Sequence, residues 1–243
     1  MSKGYEKNVY LAMLAEQCNR FEEMTEFLED FLKSKDKDLN SDERNLLSIA
    51  YKNSVSSRRS ALRTIMAYEM KEKKKDNSVF LPYIQEYKRK VETELTKMSY
   101  NIIDTIDTQL LKRAEESEAK VFYLKMKGDY NRYVAEYAQG ELKQKVSDSA
   151  LDAYKQASEF AKGLPSVHPI SLGLALNFSV FYYEVMSDHE TACKIAQETL
   201  DATFKDLPNM DEDDESNRDA MAIISLLKEN LEMWKYEAEE GTA

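Results

Sequence analysis

RNLLSIAYKNSVSSRRSALR, residues 44–63, is the stretch on which the fold turns. At about 100° per residue, Lys52, Arg59 and Arg63 stack in one narrow strip of a helix. Leu47, Tyr51, Val55, Leu62 and Ile65 gather on an arc centred roughly 100° around the same helix. An apolar flank fixes such a helix on a core while the separate cationic strip presents positive charge. Seven residues separate Lys52 from Arg59, which sets their heads ~10 Å apart along the axis. Two long side chains at that spacing can converge on one anionic group. A solvated basic face would leave the same pattern, so the rest of the chain has to decide between the two.

The rest of the chain is helical in character. In 243 residues there are six Gly and four Pro, so long stretches run unpunctuated, and no set of short alternating β-type runs occurs. With 33% charged and 42% apolar residues the composition suits long amphipathic helices. Net charge is −11, which disfavours general nucleic-acid binding, since that depends on neutralising phosphates. Cys18 and Cys193 lie far apart without a CxxC pair, which disfavours a disulfide framework or a zinc site and fits reduced thiols in the cytosol. The N-terminal MSKGYEKNVY lacks the apolar run of a signal peptide. Ile170 to Met186 is greasy, but it carries Ser171, Asn177, Ser179 and Glu184 and reads as a buried helix, not a membrane span.

The pattern predicts an all-α chain of nine helices, at about 5–18, 21–34, 41–73, 82–114, 118–139, 143–162, 169–186, 188–205 and 218–236. Short connections favour antiparallel neighbours in a curved array, with no repeat period of 34 or 40 residues. Residues 1–236 are expected to form a single domain, followed by a short frayed tail at 237–243. Asn209 to Asn217 reads as an acidic loop, and its DEDDE run lacks the glycine and spacing of a calcium loop.

A second cationic site lies in VFYLKMKGDYNRYVAEYA, where Lys125 and Arg132 are again seven apart and Tyr133 follows. Glu136 is placed to pair with Arg132 across one turn. Arg, Lys and a tyrosine hydroxyl form a donor set suited to three phosphate oxygens, although a surface salt-bridge ladder would look alike. PISLGLALNFSVFYYEVM sets Asn177 among aliphatics, with Leu172, Leu176, Val180 and Tyr183 on one stripe and Glu184 beside them. A buried amide offers a donor and an acceptor, which is what an extended peptide main chain needs, or else it is satisfied by its own protein. The last helix repeats the device: Ile223, Leu226 and Leu227 precede Asn230, with Trp234 a turn later. His168 and His189 sit in no ligand-spaced cluster, and no nucleophile elbow or P-loop appears, so neither a metal, a cofactor nor a catalytic set is expected.

These blocks, together with HPISLGLALNFSVFYYEV and LLKENLEMW, resemble the 14-3-3 proteins from about Tyr5 to Trp234. The resemblance implies a cup-shaped dimer of nine antiparallel helices that binds phosphoserine or phosphothreonine peptides in an amphipathic groove. Residues about 44–63, 118–139, 169–186 and 218–236 would line it. It assigns phosphate binding to Lys52, Arg59, Arg132 and Tyr133, and the peptide main chain to Asn177 and Asn230. Leu176, Val180, Ile223 and Leu226 become the apolar wall, with Lys125, Glu136, Glu184 and Trp234 supporting.

Dimer contacts are implied between residues 1–34 of one copy and about 60–95 of the other. Leu14, Cys18, Arg20 and Glu23 would meet Ala61, Ile65, Tyr87, Lys90 and Glu94, with Arg20 facing Glu94 and Glu23 facing Lys90. The resemblance thus implies a cytoplasmic adaptor that is not an enzyme. Its partners are phosphorylated clients and a second copy or a paralogue, with the nucleus as a further compartment. A tetratricopeptide-like scaffold clamping peptide carboxylates is the alternative, and an enzyme acting on an anionic substrate is a third reading. Four features depart from the family pattern: Ala222 in place of a larger aliphatic, Ser171 in place of a basic residue, the NSVFLPYI turn and a short C-terminal tail.

Overall fold

A computed structural model describes residues 3–75, 77–206 and 215–241, and among these every regular element is a helix. The chain divides into two compact units, Met1–Ala114 and Glu115–Ala243, each with its own buried core.

In the first unit, α1 (Lys3–Gln17) packs along α2 (Phe21–Lys33), α2 packs on α3 (Ser41–Lys73), and α3 lies along α4 (Leu81–Thr105). α4 continues through a π-helical turn, Ile106–Leu110, into a last turn at Leu111–Arg113. α3 can run to Lys73 because its start is firmly capped. The Asn40 side chain accepts from the Glu43 N–H at 3.0 Å, and Glu43 accepts from the Asn40 N–H at 2.9 Å, a reciprocal capping box. Lys35 holds the same Glu43 carboxylate at 2.5 Å. Leu47, Tyr51, Val55, Leu62 and Ile65 are all buried, the arc that the 100° spacing sets aside for the core. Tyr51 donates to Glu29 on α2 at 2.9 Å, and Asn101 on α4 donates to the same carboxylate at 2.5 Å. One acid thus ties α2, α3 and α4 together.

In the second unit, α5 (Ser117–Ala135) packs along α6 (Gly140–Ala161), and both contact α7 (Pro169–Glu184). α8 (His189–Asp206) and α9 (Glu215–Glu240) complete it around α7. Leu172, Ala196, Leu200, Ile224, Leu231 and Trp234 belong to one buried cluster.

Some ends differ from the sequence reading. α5 stops at Ala135 rather than near Gln139, and α6 begins at Gly140 rather than Lys143. The reversal between them uses the positive φ of Gly140, +57°, which glycine adopts without strain. α9 continues to Glu240 through a segment expected to fray. Within it Glu237 accepts a hydrogen bond from Tyr183, and Glu240 accepts one from Tyr236. Most of the acidic loop expected at Asn209 to Asn217 lies outside the described residues, and α9 begins within its last part.

Asn40→Ala removes the acceptor from the first turn of α3 and should destabilise the first unit by about 0.5–2 kcal/mol. Hydrogen exchange of the amides at 43–45 should accelerate while those of α7 do not change.

Candidate functional site

The cationic strip of α3 sits on the side of the helix away from the core. Lys52 and Arg63 are exposed and Arg59 is half-buried. The neighbouring Arg58 plays a different part and reaches Glu22 on α2 at 2.8 Å and Glu94 on α4 at 3.3 Å. Two adjacent arginines, 100° apart on the helix, therefore divide between structure and outward presentation.

On α5 the expected donors are organised by a residue the sequence reading did not single out. Asp129 is buried, and its Oδ1 accepts from the Tyr154 hydroxyl at 2.7 Å and from Asn177 Nδ2 at 2.8 Å. Its Oδ2 accepts from Lys125 Nζ at 2.9 Å, and Arg132 Nη2 lies 3.5 Å from Oδ1. Burial alone would raise the Asp129 pKa, but Lys125, Arg132 and the Tyr154 hydrogen bond overcome it and hold the carboxyl below its usual value. Burial and the neighbouring carboxylate push the Tyr154 phenol well up, so it stays a donor.

Arg132 is buried as well. Its Nε donates to the Tyr154 oxygen at 3.2 Å, and Nη1 stands 3.8 Å from Glu136, the pair expected across one turn. The guanidinium also lies over the Tyr133 ring, 4.8 Å from its centroid. Arg132 is thus oriented through Nε and its flat face, and its Nη groups, at ion-pair distance from two acids, keep donor capacity for an incoming anion.

This array depends on a glycine. A Cβ at Gly128 would stand 2.6 Å from Tyr154 Cε1, so only glycine lets the Tyr154 ring reach Asp129. The signal was present in the sequence as GDY at 128–130, but Tyr154 lies 25 residues from Asp129 and nothing in the spacing pairs them.

Asn177, half-buried on α7, spends one N–H on Asp129, which fixes its amide orientation because a carboxylate only accepts. Both readings of this asparagine therefore meet: it is satisfied in part by its own protein and still offers Oδ1 and its other N–H. Asn230 is half-buried on α9. Leu176, Val180 and Ile223 pack against the cluster beneath them while staying partly open, and Leu226 is exposed. Ala222 is exposed beside them and Glu184 is exposed at the end of α7. Trp234 is buried and stacks on Tyr183, centroids 4.6 Å apart, so it supports the wall from below.

Of the residues assigned to self-association, Leu14, Cys18 and Tyr87 are exposed, Ala61 is half-buried and Ile65 is buried. Within one chain Arg20 pairs with Glu23, Glu94 pairs with Arg58, and Lys90 is exposed. Among the described residues no group of three or more His, Cys, Asp or Glu could hold a metal ion. No helix there is long and apolar enough to cross a membrane.

A helical chain whose amphipathic wall adjoins fixed cationic donors is a peptide-binding protein for anionic segments. The 14-3-3 protein family profile matches residues 11–235. The 14-3-3-like protein A of Hordeum vulgare is 46% identical over 239 residues, covering 97% of this chain and 90% of that relative. Protein BMH2 of Saccharomyces cerevisiae is 46% identical over 243 residues, 99% of this chain and 88% of the relative. The checkpoint signal transducer rad25 of Schizosaccharomyces pombe is 45% identical over 240 residues, 98% and 88% respectively. The chain belongs to the 14-3-3 family. Like that family, it is an adaptor for phosphoserine- and phosphothreonine-containing segments of client proteins.

The lowered Asp129 pKa has a pH consequence with a definite sign. A carboxyl whose folded pKa is depressed contributes stability above the ordinary carboxylate range and loses it as pH falls through the folded value. Urea midpoints should therefore drop on acidification, and Asp129→Asn should flatten that limb. At neutral pH the same substitution should cost about 3–5 kcal/mol, because Lys125 and Arg132 lose a buried counter-charge.

Proposed function

We propose that Lys52 and Arg59 on α3 act with Arg132 and Tyr133 on α5 as the donors for one client phosphate. Asn177 and Asn230 hold the client main chain, and Leu176, Val180, Ile223 and Leu226 receive its flanking side chains. Lys125, Glu136, Glu184 and Trp234 support this set. The protein acts by binding alone, with no chemical step, in the cytoplasm, and as a dimer of two copies or of this chain with a paralogue. The observation that carries the reading is the Asp129 node: a buried carboxylate orients Lys125, Arg132 and Asn177 before any ligand arrives. Prior orientation of donors favours a ligand that needs several at once, and a phosphate with three accepting oxygens is such a ligand.

Carboxylate capture by a tetratricopeptide-like scaffold is disfavoured by the family assignment. Self-association is supported by exposed apolar side chains on the first unit, including Leu14 and Tyr87. In the pair, Arg20 and Glu23 would exchange their mutual contact for Glu94 and Lys90 of the second copy. Ala61 stands in that surface and cannot be phosphorylated, so modification there cannot separate the copies.

The experiment is titration calorimetry with a singly phosphorylated peptide and its unphosphorylated twin. The unphosphorylated peptide should bind at least 100-fold more weakly, since each charge-assisted hydrogen bond contributes about 1.5–3 kcal/mol. Lys52→Glu should do more harm than Lys52→Ala, because it adds repulsion to a lost donor. Equal affinity for both peptides would reject the phosphate reading, and unchanged affinity in Lys52→Glu would remove Lys52 from the site.

A further inference from the structure

Two apolar ridges of the first unit remain uncovered by the chain itself. On α1, Tyr10, Met13 and Leu14 share one face at helical spacing and are 66%, 53% and 47% exposed. The second ridge starts in the turn between α3 and α4, where Val79 is 70% and Phe80 62% exposed, and continues on α4 with Tyr83 at 70% and Tyr87 at 56%. This turn is built rather than frayed. Asn77 takes a positive φ of 59°, the Ser78 hydroxyl donates to Glu72 at 2.5 Å, and the Phe80 N–H donates to Ser78 at 3.3 Å. The same Glu72 holds Lys75 at 2.5 Å. Val79 and Phe80 are therefore fixed pointing outward in a segment that secures its own polar groups, at a standing cost in exposed apolar surface.

One uncovered ridge would not identify its occupant. Two ridges on one unit do, because a two-fold pair of identical chains sets the first against the second twice over. Charge agrees with that pairing. Beyond Tyr87, α4 exposes Arg89 and Lys90, whereas α2, which packs along α1, exposes Glu22, Glu26 and Asp30. We propose that the Val79–Phe80–Tyr83 band docks on the Tyr10–Met13–Leu14 ridge of a second copy, extending the self-association surface so that the chain selects its own kind as partner. The inference rests on the dimer reading above and adds to it an apolar contact that depends on residues of the α3–α4 turn. Such a contact is screened little by salt, unlike one built from exposed ion pairs.

Sedimentation velocity and native mass spectrometry of subunit exchange test it with wild type and a Val79→Lys/Phe80→Lys double variant, whose altered positions are exposed. Tyr87→Glu serves as the comparison variant. The expected result is a wild-type dimer whose Kd changes less than threefold between about 0.1 M and about 1 M salt. The double variant should dimerise at least 100-fold more weakly. The mixed dimer, which keeps one of the two symmetric contacts, should fall midway on a logarithmic scale. If the double variant dimerises like wild type while Tyr87→Glu dissociates, the extension is wrong and the dimer reading stands. The same pattern would appear if a client segment, not a second copy, covers the band. A wild type that stays monomeric at tens of micromolar overturns both.

Discussion

A single buried carboxylate, Asp129, sets the geometry on which the candidate site depends. It can only accept, and its two oxygens accept from Tyr154, Asn177 and Lys125 with Arg132 close by. Three helices, α5, α6 and α7, are therefore fixed relative to one another by one charge. The arrangement is demanding, because a buried ion whose partners are incomplete costs several kcal/mol. It is met here by one charge partner at 2.9 Å, a second at 3.5 Å, and two neutral donors. The reward is orientation. Arg132 is a five-donor fork, and holding it through Nε fixes the plane in which its other donors point.

The first unit solves a related problem with different chemistry. α3 must present cations outward while holding its inner face against α2 and α4. Arg58 provides internal anchorage through Glu22 and Glu94, and Tyr51 and Asn101 converge on Glu29. These interactions lie a few residues from Lys52 and Arg59, so the helix is least free to shift where its cationic strip emerges. A basic strip on a loosely held helix would have to be ordered by its ligand at the ligand's expense. Here the core bears that cost in advance.

Elements with strong periodicity were legible in the sequence, and elements defined by distant contacts were not. The buried arc of α3 follows from 100° spacing alone, and all five of its residues are buried. Arg132 with Glu136, and the apolar stripes of α7 and α9, are likewise local patterns that survive folding. Asp129 escaped notice because a lone acid between glycine and tyrosine looks like a surface residue; its burial is set by Tyr154 and Asn177, 25 and 48 residues away. Arg58 and Arg59 have the same composition-level signal, and only the positions of α2 and α4 tell them apart. The ends of α5 and α9 moved for the same kind of reason. Gly140 opens a helix from a left-handed residue, and the last turns of α9 gain partners in Tyr183 and their own Tyr236.

The acidity of the whole chain and its appetite for phosphate are compatible because electrostatics is short-ranged in salt water. At physiological ionic strength the screening length is about 8 Å, so acids beyond it contribute little to the potential at the donors. A unit charge ~4 Å from another at an effective dielectric of ~20 gains about 4 kcal/mol before desolvation. Two or three such contacts outweigh a diffuse net charge of −11 spread over the surface. The nearby acids are the ones that matter, and Asp129 and Glu136 are both close to Arg132. Their ion-pair distances of 3.5 and 3.8 Å hold the guanidinium in place without taking its Nη donors into short hydrogen bonds. Shorter contacts would bind the guanidinium to its own acids and raise the cost of turning it toward a ligand. Longer ones would leave it unoriented. The node therefore balances orientation against availability, and the chain's net acidity, by discouraging indiscriminate polyanion binding, sharpens the selection of a single phosphate presented on an extended apolar segment.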